Sequence, residues 1–320
     1  MISLLLTILF AQQVEFEAQP KILLEKTGLD FERMSVSADR LFVPDEGNSA
    51  VLVFDKSGKQ LAMLQAASGA KLQLPHQVTW VEADQRVYVY DSAVRQFFVW
   101  DANFQPVNRM ATNFDVLFEV GRLIQVGGGF AAPVSLVKEK FLVGRFDAQF
   151  QPIRYGYEIM NRQLTKMSPV LRRSFLARVK SQGGERLLVM QSLSPSVAVF
   201  DTNLSATNTF TLSPRGWTDA NMRKLKKVSK NPRELQKLQE TFSEVVSLFA
   251  VGEDMFLVGF RNIRSRSLIS YQCYNAETGQ PQGISFDTAF RLVAVHGDTG
   301  YYQDPASSKP ELYPIRVVRR

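Results

Sequence analysis

The chain has 320 residues, of which 45% are hydrophobic and 22% charged, the proportions of an ordinary soluble globular protein with one large domain or two smaller ones. The net charge of +7 favours acidic partners such as nucleic acid, anionic lipid or acidic glycan. Cys273 is the only cysteine, which excludes an intramolecular disulfide, and a lone thiol in an apolar strand is more typical of packing than of a nucleophile.

The chain begins with an uncharged apolar run, MISLLLTILFAQQ. The stretch Ile2–Phe10 is too short for a membrane-spanning helix, which needs roughly 20 residues. It fits the apolar region of a secretory signal cleaved near Ala11, although no Lys or Arg precedes it. We therefore expect a signal peptide at residues 1–11 and a periplasmic or secreted domain at residues 12–320. The alternative interpretation of this stretch is a buried first strand.

An aromatic residue followed by Asp or Asn recurs along the chain. The first three pairs are 46 residues apart, and the next two follow after 54 and 74 residues. The pairs are Phe54-Asp55, Trp100-Asp101, Phe146-Asp147, Phe200-Asp201 and Tyr274-Asn275. A period of 40–50 residues containing several short strands indicates a β-propeller. The aromatic side chain ends a third strand and can pack between blades, while the Asp or Asn turns the chain by bonding nearby amides.

The two long spacings contain insertions. Residues Thr218–Val245 form the one clearly helical segment, with Thr218 or Asp219 as a candidate cap and Pro232 in the first turn of a second helix. Removing these 28 residues restores the 46-residue period, and eight further residues are placed in Tyr157–Ser174. The remaining length gives six blades. The sequence thus predicts an all-β, six-bladed β-propeller with a helical insertion between blades 4 and 5.

Closure of the ring is predicted from the two ends of the chain. The C-terminal sequence LYPIRVVRR is typical of a third strand with no fourth strand after it. The N-terminal sequence FEAQPKILLEK, which starts at Phe16, can supply the missing strand.

The stretch LPHQVTWVEADQRVYVYDSAVRQFFVWDANFQPV, Leu74–Val107, resembles an NHL repeat, and Arg40–Leu64 is a second copy. The second copy keeps the turn glycine of that family in Asp55-Lys56-Ser57-Gly58-Lys59. The whole chain is similar to exported six-bladed propellers of NHL or TolB-like type. This resemblance implies a binding or scaffold propeller more than any one activity.

Candidates for chemistry are few. The chain has two histidines, His76 and His296, which cannot form a three-histidine zinc site. His76 opens the inner strand of blade 2 and could face the central channel. Asp45, Asp91 and Asp304 all end second strands, and together they could begin a calcium site. Capping of local turns is the favoured interpretation of these aspartates, so we expect no cofactor, with calcium as the open alternative.

Most of the positive charge is concentrated in one place. In a propeller, the loops between blades and the loops joining second to third strands emerge on the same face, which brings the helical insert, the earlier insertion and the blade 5 loop together. The candidate residues of this predicted basic face are Arg223, Lys224, Lys226, Lys227, Lys230, Arg233, Arg261, Arg264 and Arg266, with Arg162, Lys166, Arg172 and Arg173 in the earlier insertion. The competing interpretation is that a helix simply has a solvated charged side.

The pattern favours an exported, monomeric, non-catalytic binding or scaffold protein that recognises an acidic protein, an acidic glycan or an anionic lipid headgroup. Nucleic acid is a poorer match, because export argues against it and the basic run Met222–Arg233 contains no aromatic residue for base stacking. One alternative is a metal-dependent propeller hydrolase or lactonase with its site at the channel mouth. Another is an NHL-type RNA-binding protein, which requires that the leader is not a signal peptide.

Overall fold

Six antiparallel sheets surround a central channel in the computed structural model of the chain. The structure describes residues 14–26, 29, 31–112, 122–134, 141–158, 173–181, 183–228, 231–263 and 267–319. The predicted signal peptide and most of the insertion at Tyr157–Ser174 lie outside the described residues, so both remain predictions. The predicted fold class, a six-bladed β-propeller, is confirmed.

The strands are short and follow one another in blade order. In chain order they are β1 (Val14–Ala18), β2 (Ile22–Leu23), β3 (Ser35–Val36), β4 (Arg40–Asp45), β5 (Ala50–Asp55), β6 (Gln60–Leu64), β7 (Ala66–Ala67), β8 (Ala70–Lys71), β9 (Pro75–Val81), β10 (Arg86–Asp91), β11 (Gln96–Asp101), β12 (Pro106–Ala111), β13 (Ile124–Val126), β14 (Gly129–Pro133), β15 (Phe141–Phe146), β16 (Pro152–Glu158), β17 (Ser174–Ser181), β18 (Gly184–Gln191), β19 (Ser196–Phe200), β20 (Ala206–Thr211), β21 (Glu244–Val251), β22 (Met255–Arg261), β23 (Ile269–Asn275), β24 (Pro281–Thr288), β25 (Arg291–His296), β26 (Thr299–Gln303) and β27 (Glu311–Arg319). Blades 1 to 5 are β3–β6, β9–β12, β13–β16, β17–β20 and β21–β24, and a hairpin of β7 and β8 joins blades 1 and 2. Two 3-10 turns lie at Phe31–Arg33 and Glu46–Asn48.

The last blade is closed by the N-terminal strand, as predicted. Its strand order is β25, β26, β27 and β1, and β1 pairs antiparallel with β27 from Val14↔Arg319 to Ala18↔Ile315. The strand β2 continues along β27 through Ile22↔Leu312. Because both ends of the chain share one sheet, opening the ring requires the loss of a complete strand pairing.

The aromatic–Asp repeat forms one turn five times. The carboxylate or amide oxygen of each Asp or Asn accepts backbone N–H groups from residues two and three or four positions later, at 2.8–3.1 Å. The preceding aromatic residues are all buried, at 5% exposure or less. The aromatic side chains of the repeat are therefore buried, and its Asp and Asn side chains cap turns, as predicted.

In blades 1 to 4, the residue three positions after the Asp has a positive φ, and in blade 5 the positive φ falls one position later, at Gly279. Glycine occupies this position in blade 1, but Phe104, Phe150 and Leu204 occupy it in blades 2, 3 and 4. Phe150 is fully buried and stacks on Phe97 of blade 2, with ring centroids 3.8 Å apart. The strain of a left-handed residue, about 1–2 kcal/mol, is thus offset by packing between blades.

The helical insert consists of α1 (Met222–Val228) and α2 (Pro232–Gln239). It is shorter than the predicted Thr218–Val245, because α1 is capped by Asn221, whose side chain accepts the N–H of Lys224, and Val245 already belongs to β21. The predicted cap at Thr218 or Asp219 is wrong. The buried faces of the two helices pack with Leu142, at the start of the third strand of blade 3, and with Leu193, in the loop that joins the second and third strands of blade 4.

Candidate functional site

A cavity of about 210 Å³ lies where the inner strands begin, at one mouth of the central channel. Every blade contributes a basic or titratable side chain to its wall. These are Arg33 in blade 1, His76 in blade 2, Arg122 in blade 3, Arg173 in blade 4, Arg261 in blade 5 and Arg291 in blade 6. We refer to the cavity as the channel mouth and to these five arginines as the arginine ring.

Three members of the arginine ring have carboxylate partners. Arg33 lies 2.6 Å from Glu46, Arg261 pairs with Glu244, and Arg291 pairs with Glu32. The pairs are partly or well exposed to solvent, so each contributes modestly to stability. His76 lies beside the first pair, with its Nδ1 3.5 Å from an oxygen of Glu46.

Arg122 is held differently. It precedes the inner strand of blade 3 and crosses the channel, where its guanidinium donates a hydrogen bond to the carbonyl of Val293 in blade 6 and lies 4.2 Å from the ring centroid of Phe249 in blade 5. Among the described residues no carboxylate pairs with it. Burial lowers the pKa of Arg122 to about 9, so the group remains charged at neutral pH.

Arg173 also lacks a carboxylate within the described part of the chain. It lies just before β17 and is exposed to solvent, and Phe175, two residues later, is a partly buried part of the same wall. The wall therefore combines guanidinium groups with aromatic surface.

The electrostatic balance of the channel mouth is positive. Five arginines line it, and three of them are paired with the carboxylates of Glu32, Glu46 and Glu244, which leaves two positive charges in excess. A concave site of one sign focuses the potential and raises the local concentration of the opposite charge. The arrangement is suited to binding carboxylate or phosphate groups, which the planar guanidinium binds through two parallel hydrogen bonds.

The predicted metal candidates have other partners. Asp91 is fully buried, and its two oxygens accept four backbone N–H groups, from Gln73, Leu74, Ala93 and Val94.

Asp45 accepts from Lys26 and Asn48, and Asp304 accepts the N–H of Ala306 at 2.9 Å. Over the residues that the structure describes, no group of three or more His, Cys, Asp or Glu side chains is arranged to hold a metal ion. The contacts are those of turn capping.

The predicted basic residues fall into two groups. Arg223, Lys224, Lys226, Lys227 and Arg233 are exposed on the helical insert, and none of them lines the channel mouth. Arg261 lies in the channel mouth, whereas Lys230, Arg264 and Arg266 lie outside the described residues. His76 also lies at the channel mouth.

Arg33, Arg122 and Arg291 are not among the site residues that the sequence predicts. A usable signal exists, because each of them lies within two residues of the start of an inner strand, as Arg173 does. An alignment of the blade sequences on the starts of their inner strands, rather than on their turns, shows this recurrence of arginine.

Comparison with known proteins finds the fold but not a family. No family model and no curated protein matches the chain. Similar solved structures include a member of the DUF4221 family from Bacteroides vulgatus, with a TM-score of 0.69 and 8% identity over 97% of this chain and 99% of the other. A protein from Bacteroides fragilis that is named as exported has a TM-score of 0.65 and 15% identity over 97% of this chain and 96% of the other.

A third similar structure is virginiamycin B lyase from Staphylococcus aureus, with a TM-score of 0.50 and 10% identity over 95% of this chain and 100% of the other. At these identities the comparisons show the propeller fold alone. No helix within the described residues is both long and apolar enough to cross a membrane.

Proposed function

We propose that this protein is an exported, non-catalytic binding propeller that recognises an acidic ligand or partner on the face that carries the channel mouth. The observation that carries the proposal is the arginine ring, in which five blades each direct an arginine to one cavity. Arg122 is the strongest element, because its guanidinium is partly buried and no carboxylate of the described chain neutralises it.

In the ligand-free protein, Arg122 carries an energetic cost. A buried charge without a counter-ion is costly, and proteins normally pair it. An arriving carboxylate or phosphate supplies that pairing in a site of reduced polarity, where a charge-assisted hydrogen bond is worth about 1.5–3 kcal/mol. Because the folded protein already bears the cost of burying this charge, pairing it with a ligand adds to the binding free energy.

The contacts of the titratable groups support binding over the hydrolase alternative. The carboxylates of Asp45, Asp91 and Asp304 are engaged in local hydrogen bonds, and His76 lies beside the carboxylate of Glu46. One of the similar structures is a lyase, but a shared propeller fold does not carry an activity with it.

Export is the part of the proposal that concerns location. It is supported by the apolar run Ile2–Phe10 followed by Ala11, and by the similarity to a propeller that is named as exported. Among the acidic partners, an exported protein meets acidic glycans, anionic lipid headgroups and acidic proteins rather than nucleic acid.

The proposal is tested by binding of the protein to immobilised polygalacturonate as the salt concentration rises. We expect binding at low salt that weakens as salt is added, since exposed charges are screened beyond about 10 Å at 0.1 M. The variant Arg173→Glu should bind more weakly, whereas a control variant with reversals at two exposed residues outside this face, Lys59→Glu and Arg109→Glu, should bind as the parent does.

Two results would overturn the proposal. One is the absence of binding at low salt both to polygalacturonate and to vesicles that contain anionic lipid. The other is an equal loss of binding in Arg173→Glu and in the control variant, which would show that only the overall charge matters.

A further inference from the structure

The size of the channel mouth limits what it can hold. Its volume of about 210 Å³ is below the 300–1,000 Å³ that is typical of sites for drug-sized ligands. The site therefore has room for one small group, whether free or at the end of a larger molecule.

The wall of the channel mouth is not uniformly polar. Phe175 and Phe249 are partly exposed and contribute aromatic surface, and Val246 also lines the cavity. The ring of Phe249 already lies against the guanidinium of Arg122. A group that entered beside this pair would meet an anion-binding fork and an apolar surface at the same time.

The five arginines are not equally available. Arg33, Arg261 and Arg291 must release a carboxylate before they can bind a ligand. Arg122 and Arg173, from adjacent blades, have no carboxylate to release among the described residues. An anion that binds at these two arginines therefore displaces no carboxylate of the described chain, and its binding free energy is most favourable there.

We infer that the channel mouth is a subsite for a single carboxylate or phosphate group carried on a flat or apolar body, with the anion paired to Arg122 and Arg173 and the body against Phe175 and Phe249. The inference rests on the proposed function and specifies the ligand of the same site. The exposed lysines of the helical insert take no part in this subsite.

The test uses probes that differ in one feature at a time. Benzoate and phenyl phosphate carry the anion on a ring, benzamide keeps the ring without the charge, and acetate and inorganic phosphate keep the charge without the ring. A ligand that binds only the folded protein raises its unfolding midpoint, so both calorimetric titration and thermal unfolding report binding. We expect the ring-bearing anions to bind about tenfold more tightly than acetate or inorganic phosphate and than benzamide, since about 1.4 kcal/mol is a factor of ten.

Variants separate a ligand-binding role from a structural one. Arg122→Met should weaken benzoate binding by about tenfold or more, while its unfolding midpoint without ligand is unchanged or higher, because a partly buried charge with no carboxylate partner among the described residues has been removed. Arg173→Met removes an exposed side chain and should also weaken binding without affecting the fold. The matched control Arg223→Glu with Lys224→Glu, on the helical insert, should bind benzoate as the parent does.

The outcomes are distinct. Equal binding of benzoate and benzamide would overturn the anion subsite, and equal binding of benzoate and acetate would overturn the role of the aromatic wall. Full benzoate binding in Arg173→Met, or in a folded Arg122→Met variant, would also overturn the anion subsite. Salt-sensitive polygalacturonate binding without any response to the small anions would refute the subsite alone, whereas no response to either class of probe would refute the proposed function as well. The relative affinity of benzoate and phenyl phosphate distinguishes a carboxylate from a phosphate source.

Discussion

Asp91 provides the sharpest test of turn capping against metal binding. One of its oxygens accepts the N–H groups of Gln73 and Leu74 at 2.6 and 3.1 Å, and the other accepts those of Ala93 and Val94 at 3.0 and 3.3 Å. The buried carboxylate thus fixes the connection from blade 1 to the second strand of blade 2. A charge-assisted bond contributes about 1.5–3 kcal/mol, and some of the freed amides can reach water, so we expect Asp91→Ala to lower the free energy of unfolding by roughly 3 kcal/mol.

Two further substitutions make the prediction specific. Asp91→Asn should also cost about 2 kcal/mol, because in either orientation its NH₂ group faces two backbone donors. Asp304→Ala removes one bond to a partly exposed amide and should cost about 1 kcal/mol or less. Denaturant unfolding of the three variants, with calcium or EDTA, measures these losses. An Asp91→Ala loss no larger than that of Asp304→Ala, or a midpoint that falls in EDTA, would refute the capping argument.

Three other predictions concern the fold. Gly58→Ala should destabilise the protein by roughly 2 kcal/mol more than Gly69→Ala. Both glycines have a positive φ, but only at Gly58 would an added Cβ collide with a backbone oxygen, that of Leu23 in the N-terminal segment. Equal shifts in the unfolding midpoint of the two variants would contradict this. Cys273, whose pKa burial raises to about 12, should resist thiol reagents at pH 8 until the protein unfolds, and rapid labelling of the native protein would contradict its burial. Arg319 hydrogen-bonds Asp254 and lowers its pKa, so the stabilisation is present above the unfolded pKa of 3.8 and is lost as the pH falls through the lower folded value. The difference in unfolding midpoint between the parent and Arg319→Met should therefore be small, because the pair is exposed, and it should shrink in acid. A difference that grows in acid would contradict the stabilising role of the Arg319–Asp254 pair.

The fold was predictable because its signal is local and repeated. The pair Trp100-Asp101 and its equivalents give the blade period, since each Asp or Asn closes the same turn. The C-terminal sequence ends in a third strand, and the N-terminal strand that pairs with it gives the closure. The residues at positive φ were not predictable, because Phe150 is acceptable there only through its contact with Phe97 of another blade.

The site was less predictable for a related reason. The basic run Met222–Arg233 is conspicuous in the sequence because its charges are adjacent, yet its described residues lie outside the channel mouth. The arginine ring is assembled from single residues in different blades, and only the closure of the propeller brings them together. The ion pairs that distinguish Arg291 from Arg122 also depend on contacts between blades and have no signature in one blade.

The most direct measurement is a crystal structure of the protein soaked with phenyl phosphate. The account predicts the phosphate at the channel mouth within hydrogen-bonding distance of Arg122, with the phenyl ring against Phe175 and Phe249. A phosphate bound only to the exposed lysines of the helical insert, with no ligand at the channel mouth under conditions where binding is measured in solution, would contradict it.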